Sequence, residues 1–197
     1  FPPSVCSSAE YEGVFPKGNK AIRQCIGYTD HALKLFFEKV SKEPWYKNTL
    51  FVFTADHTNS PERPEYETES GLFSVPVVFY QPGSNLKGFR MIAQQIDIMP
   101  TVLGYLGYDK PFVSFGCDLL NTPAEDTYAV NYINGIYQFF KGDYLLQFDG
   151  RNAVAMYAFK TDKLLEHNLL GQIDVQQSME DELKAIIQQY MIRMNND

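Results

Sequence analysis

Basic clusters, long hydrophobic runs and closely paired cysteines are all missing from this sequence. Lys plus Arg number 17 against 24 Asp plus Glu, for a formal net charge of −7. No stripe of cations tracks a phosphate backbone, so nucleic acid is not an expected partner. The longest apolar runs, residues 50–53 and 75–80, fall far short of the ~18 residues of a membrane span. Histidine and cysteine are scarce, at three each. Cys6, Cys25 and Cys117 lack the close spacing of a zinc ribbon or a redox motif. Their odd number leaves at least one free or bonded outside the chain. A bridge between Cys6 and Cys25 is open, but spacing alone does not establish it. The chain opens on Phe1-Pro2-Pro3-Ser4, with neither Met nor the basic and apolar organisation of a signal peptide. We therefore expect a piece of a longer chain, and the lack of a span here says nothing about the parent.

What is present is ordinary for a globular protein: 45% hydrophobic and 21% charged residues over 197 positions. Three stretches are expected. Residues 1–19, rich in Pro, Ser and Gly, read as an irregular lead-in. Residues 20–123 read as α/β. A helix is expected over 20–42, with Ile22, Ile26, Leu33, Phe36, Phe37 and Val40 near one face. After a turn at 44–48 comes Thr49-Leu50-Phe51-Val52-Phe53-Thr54-Ala55, apolar on both faces like a central strand of a covered parallel sheet. A polar loop follows over 60–70, then a second strand over 75–80. Asp97 is expected to N-cap a helix through Leu106, with Pro100 in its first turn and Gly107 at its end. The helix–strand–loop–strand–helix order suggests part of a doubly wound sheet.

The pattern changes in residues 124–197. Alternating strands over 127–133, 136–140, 144–148 and 153–159 are joined by Asn134-Gly135 and two further turns, which predicts an antiparallel meander. A final helix is expected from about Asp174 to Met194, with Val175, Met179, Leu183, Ile186, Tyr190 and Met194 on one face. Tyr128, Tyr132 and Tyr144 fall on strand alternation and read as sheet residues rather than a sugar platform.

The candidate chemistry lies where the first strand ends, at Asp56-His57. In open α/β sheets, ligands bind beyond the carboxyl ends of the strands. A carboxylate and an imidazole side by side there can turn toward one cation, a mixture suited to zinc or manganese and less readily to calcium. An ordinary loop offers the same pair, and two ligands do not complete a site. Ser60, Glu62 and Arg63 follow in the loop and are candidates to touch a substrate, with a solvated loop as the other reading. His31, in the first helix, and His167 read as structural.

Four ordered segments carry a resemblance to the alkaline phosphatase and sulfatase superfamily. Residues 45–57 resemble its strand ending in a metal-binding Asp-His pair. Ser74-Val75-Pro76-Val77-Val78-Phe79-Tyr80 resembles the strand that follows. Gln95-Ile96-Asp97-Ile98-Met99-Pro100-Thr101-Val102-Leu103 resembles a further segment of the family, and residues 157–170, with Asp162, Glu166, Asn168 and Leu169, its closing hairpin. Residues 28–37 match the helix before the metal strand.

Within the superfamily the sequence most resembles the lipoteichoic acid synthase-like group of phosphoglycerol transferases. Thr58 stands where sulfatases more often carry Gly. The resemblance implies the C-terminal part of an alkaline phosphatase-like sheet. It also implies a divalent metal (manganese, zinc, magnesium or calcium) held in part by Asp56 and His57, and a Thr nucleophile upstream of this chain. A phosphodiester headgroup of a lipid or an envelope glycan would be the substrate, outside the cytoplasm, in a membrane-anchored parent. The upstream half of the same chain would complete the fold, so that these 197 residues alone would be inactive. The alternatives are a sulfatase or phosphodiesterase on the same scaffold, and a non-catalytic binding domain.

Overall fold

A computed structural model describes residues 11, 13–15, 20, 22–58, 61–88 and 90–195. The described chain forms two compact units. One comprises the residues up to Val52 together with 78–87; the other comprises 53–77 and the residues from 88 onward. Helix α1 spans Ile22–Val40, strands β1 and β2 span Phe51–Thr54 and Val77–Tyr80, and helix α2 spans Ile98–Tyr105. Strands β3 (Tyr128–Ile133), β4 (Ile136–Lys141), β5 (Tyr144–Phe148) and β6 (Ala153–Tyr157) follow, then helix α3 (Gln176–Asn195). Strands β1 and β2 pair as a two-stranded sheet, and β3 to β6 form a four-stranded sheet in sequence order.

The first unit is held by aromatic rings. Phe37 of α1 stands 5.1 Å from Phe51, at the start of β1, and 5.9 Å from Tyr80, at the end of β2, centroid to centroid. Tyr46, in a 3-10 turn over Tyr46–Asn48, lies 5.8 Å from Phe51, and its hydroxyl is 3.2 Å from that of Tyr80. Gly27 is a helix-weakening residue with a packing reason. A Cβ there would stand 3.2–3.3 Å from the Phe15 side chain, so the ring would have to shift by a few tenths of an ångström to admit one. Tyr11 and Phe15 both pack on His31, so that histidine belongs to an aromatic cluster. The expected buried stripe of α1 is corrected here: of its residues only Val40 is buried. Ile26 is 61% exposed, and Leu33 and Phe36 are also exposed. Among the described residues this face is covered only in part, where Phe36 and Phe37 meet Phe51 and Tyr80.

The second unit contains the buried core. Asn134 and Gly135 both take positive φ, 50° and 84°, as a two-residue turn between twisted strands requires. That turn fixes the register Ile133↔Ile136 through Tyr128↔Lys141. Phe139 then falls on one face with Leu146, Phe148 and Met156, against Met179 and Leu183 of α3. Phe139, Leu146, Met156 and Leu183 are wholly buried, each worth about 1.5–3 kcal/mol of burial. Lys141 on β4 meets Glu182 of α3 at 2.6 Å. The stripe expected on α3 is buried only in its middle. Val175, Tyr190 and Met194 are exposed, because the sheet is shorter than the helix.

Asp97 takes the N-cap position of α2 as expected, but its side chain makes no capping bond to that helix. Its Oδ2 accepts the Gln94 N–H at 2.8 Å, and its Oδ1 accepts the Cys117 N–H at 2.8 Å. The carboxyl is fully buried, and burial pushes its pKa above the usual carboxylate value, against the pull of those two donors. Thr101, one turn on, donates to the Asp97 carbonyl and accepts the Leu119 N–H at 3.0 Å. The Asp-Ile-Met-Pro-Thr segment is therefore a clamp on residues 116–119. Gly116 is obligatory in it, since a Cβ there would strike the Ile96 carbonyl.

Asn168 performs the equivalent task at β6. Its Oδ1 accepts the N–H groups of Met156 and Leu170 at 3.1 and 3.0 Å, while the Leu169 N–H bonds the Met156 carbonyl.

Candidate metal centre

The site residues sit where β1 stops. Thr54 is the last strand residue, and Asp56 and His57 form the bend beyond it. The His57 N–H donates to Asp56 Oδ1 at 2.8 Å, so the carboxylate folds back over its own successor. That bond, followed by the charge of the His57 ring, holds the Asp56 carboxyl below its ordinary pKa. The group is therefore ionised at neutral pH, as a hard metal donor must be. His57 Nδ1 lies 3.0 Å from the Thr58 carbonyl. A carbonyl only accepts, so in the neutral ring Nδ1 carries the proton and Nε2 is the nitrogen able to bind a cation. Nε2 stands 3.6 Å from Asp56 Oδ2. Two donors of one ion lie about 3.0–3.4 Å apart when each is about 2.1 Å from it.

At 3.6 Å the pair stands slightly wider than that, and its donor types, an ionised oxygen and an imidazole nitrogen, are ones a divalent cation accepts. Both side chains are open to a partner, Asp56 at 86% and His57 at 55% exposure. Among the described residues no group of three or more His, Cys, Asp and Glu is placed to hold a metal. The pair supplies two donors of the four or more that an ion takes.

The loop after the pair is long but closed by its own bonds. The Thr58 N–H reaches the Leu72 carbonyl at 2.7 Å, and its hydroxyl reaches that of Gly71 at 3.3 Å. Thr68 Oγ1 donates to the Glu65 carbonyl and accepts the Gly71 N–H. Gly71 lies against the Glu65 carbonyl, where a Cβ would clash. Glu69 accepts a hydrogen bond from Asn134 at the β3–β4 turn, 2.8 Å. Behind the pair, Gln95 Nε2 donates to the Ala55 carbonyl at 2.6 Å. Its neighbour Gln94 accepts the Val130 N–H of β3 through Oε1 at 3.2 Å. Sequence reasoning missed Thr58, Gln94 and Gln95. They are uncharged, and nothing in their spacing announces a role.

Of the loop candidates, Arg63 is exposed, 3.9 Å from Glu65. Glu62 is exposed as well. Ser60 lies outside the described residues, as do Cys6 and most of the lead-in. His167 is exposed; its backbone N–H donates to Asp162 Oδ2 at 2.8 Å, and its Nδ1 lies 3.5 Å from the same oxygen. Cys25 is disulfide-bonded and Cys117 is free. Among the described residues no helix is long and apolar enough to cross a membrane.

The fold itself is that of the alkaline phosphatase superfamily. A superfamily protein from Vibrio parahaemolyticus superposes on 91% of this chain with a TM-score of 0.69 at 23% identity, using 44% of its own length. A second solved structure, Ps i-CgsB in complex with a neocarrahexaose, matches over 94% of this chain and 47% of its own, with a TM-score of 0.70 at 17% identity. Residues 9–108, 100 of the 197, match the sulfatase family model, and the chain belongs to that family. Two relatives from Bacillus subtilis (strain 168) are similar over shorter stretches. Lipoteichoic acid synthase 1 is 27% identical over 120 residues, 54% of this chain and 19% of its own length. The lipoteichoic acid synthase-like protein YvgJ is 30% identical over 114 residues, 49% and 18% respectively. The chain thus spans about a fifth of the length of these relatives.

Proposed function

We propose that this chain is the metal-pair portion of a divalent metal-dependent phosphoglycerol or phosphoethanolamine transferase acting on lipid headgroups outside the cytoplasm. The observation that carries the reading is the state of the Asp56–His57 pair. With Nδ1 spent on the Thr58 carbonyl, Nε2 and an ionised Oδ2 stand 3.6 Å apart at the end of β1. The bound ion would neutralise the non-bridging oxygens of a phosphodiester and lower the pKa of an attacking hydroxyl. In this chain, Asp56 and His57 would hold it, and the bonds of Thr58 to Gly71 and Leu72 would fix their backbone. The nucleophile, a threonine, and the remaining ligands would come from the upstream half of the same protein, so that this chain alone would be inactive.

Similarity to the two Bacillus relatives supports a lipid-linked substrate, and Thr58, in place of Gly, favours transfer over sulfate hydrolysis. A disulfide at Cys25 suits an oxidising compartment and supports an extracytoplasmic site in a membrane-anchored parent. The test is metal-dependent release of headgroup from a glycerophospholipid by the full-length protein, with and without His57→Ala. The substitution should lower Mn²⁺ affinity and turnover by more than about 100-fold. Unchanged metal binding would sink the assignment. Turnover of an aryl sulfate but not of the phospholipid would replace the transferase by a sulfatase.

A further inference from the structure

The Asp56–His57 pair is largely exposed, at 86% and 55%, so its aim depends strongly on the backbone that carries it. Two side chains grip that backbone, one on each side. Behind the pair, Gln95 donates to the Ala55 carbonyl through Nε2 at 2.6 Å. Ahead of it, Thr58 is bonded twice, N–H to the Leu72 carbonyl at 2.7 Å and hydroxyl to the Gly71 carbonyl at 3.3 Å. Thr58 also offers the carbonyl that holds the His57 ring. Movement of residue 58 would therefore move the imidazole that its carbonyl holds.

Each grip is itself anchored. Gln95 opens the turn over Gln95–Asp97, whose Asp97 is buried and bonded to Cys117. The preceding Gln94 bonds β3 at Val130. Thr58 closes a loop fixed internally by Thr68 and Gly71 and tied at Glu69 to Asn134.

We propose that Gln95 and Thr58 are positioning residues for the metal pair: they transmit the rigidity of the buried clamp and of the four-stranded sheet to two largely exposed side chains. This rests on the metal assignment above. Outer-shell partners that orient ligands typically change metal affinity by about 10–100-fold when removed.

The experiment measures Mn²⁺ affinity by calorimetry on the full-length protein, with thermal melts in EDTA, for wild type, His57→Ala, Gln95→Met, Thr58→Val and Thr58→Ser. Gln95→Met keeps length and removes the donor; Thr58→Val keeps shape and removes the hydroxyl. Each should weaken Mn²⁺ by about 10-fold with the metal-free melt little moved. Thr58→Ser, which keeps the hydroxyl, should bind within about 2-fold of wild type. If His57→Ala binds as well as wild type, the metal assignment fails and the inference with it. If His57→Ala loses the metal while Gln95→Met and Thr58→Val bind normally, the pair stands and the positioning role is overturned. Loss of affinity that tracks a fall in the metal-free melting temperature in every variant, Thr58→Ser included, would overturn it equally, as a purely structural effect.

Discussion

The four-stranded sheet and the end of β1 hold their residues in opposite ways. Phe139, Leu145, Leu146, Met156 and Leu183 expose no surface at all. Their positions follow from volume and strand register, and any well-fitting apolar group would serve. Asp56 and His57 are mostly exposed, at 86% and 55%, and a handful of directional hydrogen bonds sets their geometry. Packing stores stability and is indifferent to chemistry. The bonded pair stores almost no stability and is specific in its donors. Between the two lies the Asp97 clamp, buried like the core but polar like the site, and it joins one to the other.

The contrast can be broken by substitutions of graded effect. Phe139→Ala should be the most damaging, about 4 kcal/mol in urea unfolding, because it opens a cavity between the sheet and α3. A loss under about 1 kcal/mol would mean that the sheet is not the main store of stability. Asp97→Ala leaves the Gln94 and Cys117 N–H groups without their acceptor and should cost about 3 kcal/mol. If the clamp serves the site as well, hydrogen exchange at Asp56 and His57 should quicken in this variant and not in one confined to α3. Asn168→Ala removes the acceptor for two N–H groups beside β6 and should cost about 2 kcal/mol, read in the same urea titration.

Acid should separate two carboxylates of opposite sign. Asp162 is held below its ordinary pKa, first by the His167 N–H. Its contribution is therefore present above about pH 4 and is lost as pH falls through its depressed value. Exchange of the His167 and Glu166 amides should accelerate only in that acid range. Asp97 has a raised pKa, chiefly from burial. Its effect runs the other way: stability falls as pH rises from the ordinary carboxylate value through the raised one, and Asp97→Asn should remove that slope. The smallest effect on stability belongs to the site. His57→Ala should change the unfolding free energy of the metal-free protein by no more than about 0.5 kcal/mol. A large loss there would erase the distinction between packed core and bonded site.

Much of this organisation was legible before any coordinates. The Asn134-Gly135 turn, the alternation of β3 to β6 and the periodicity of α1 and α3 gave elements close to those found, because turn chemistry and side-chain period are local properties. Asp56-His57 at the end of an apolar strand was legible for the same reason. Less legible was what the motif residues do. Asp97 looked like a helix cap, since an acid before an apolar helix usually is one. Its partner, Cys117, is 20 positions away, beyond the reach of local pattern.

By itself, then, the sequence determined the elements, the two-residue hairpin turn and the place of Asp56-His57 at the end of a strand. The tertiary structure alone decided which nitrogen of His57 is left free, that Gln95 and Thr58 grip the backbone around it, and that Asp97 is spent on the fold rather than on the site. The physical reason is that local conformation is set by each residue and its near neighbours. The aim of an exposed ligand is set by hydrogen bonds whose partners meet only once the chain has folded.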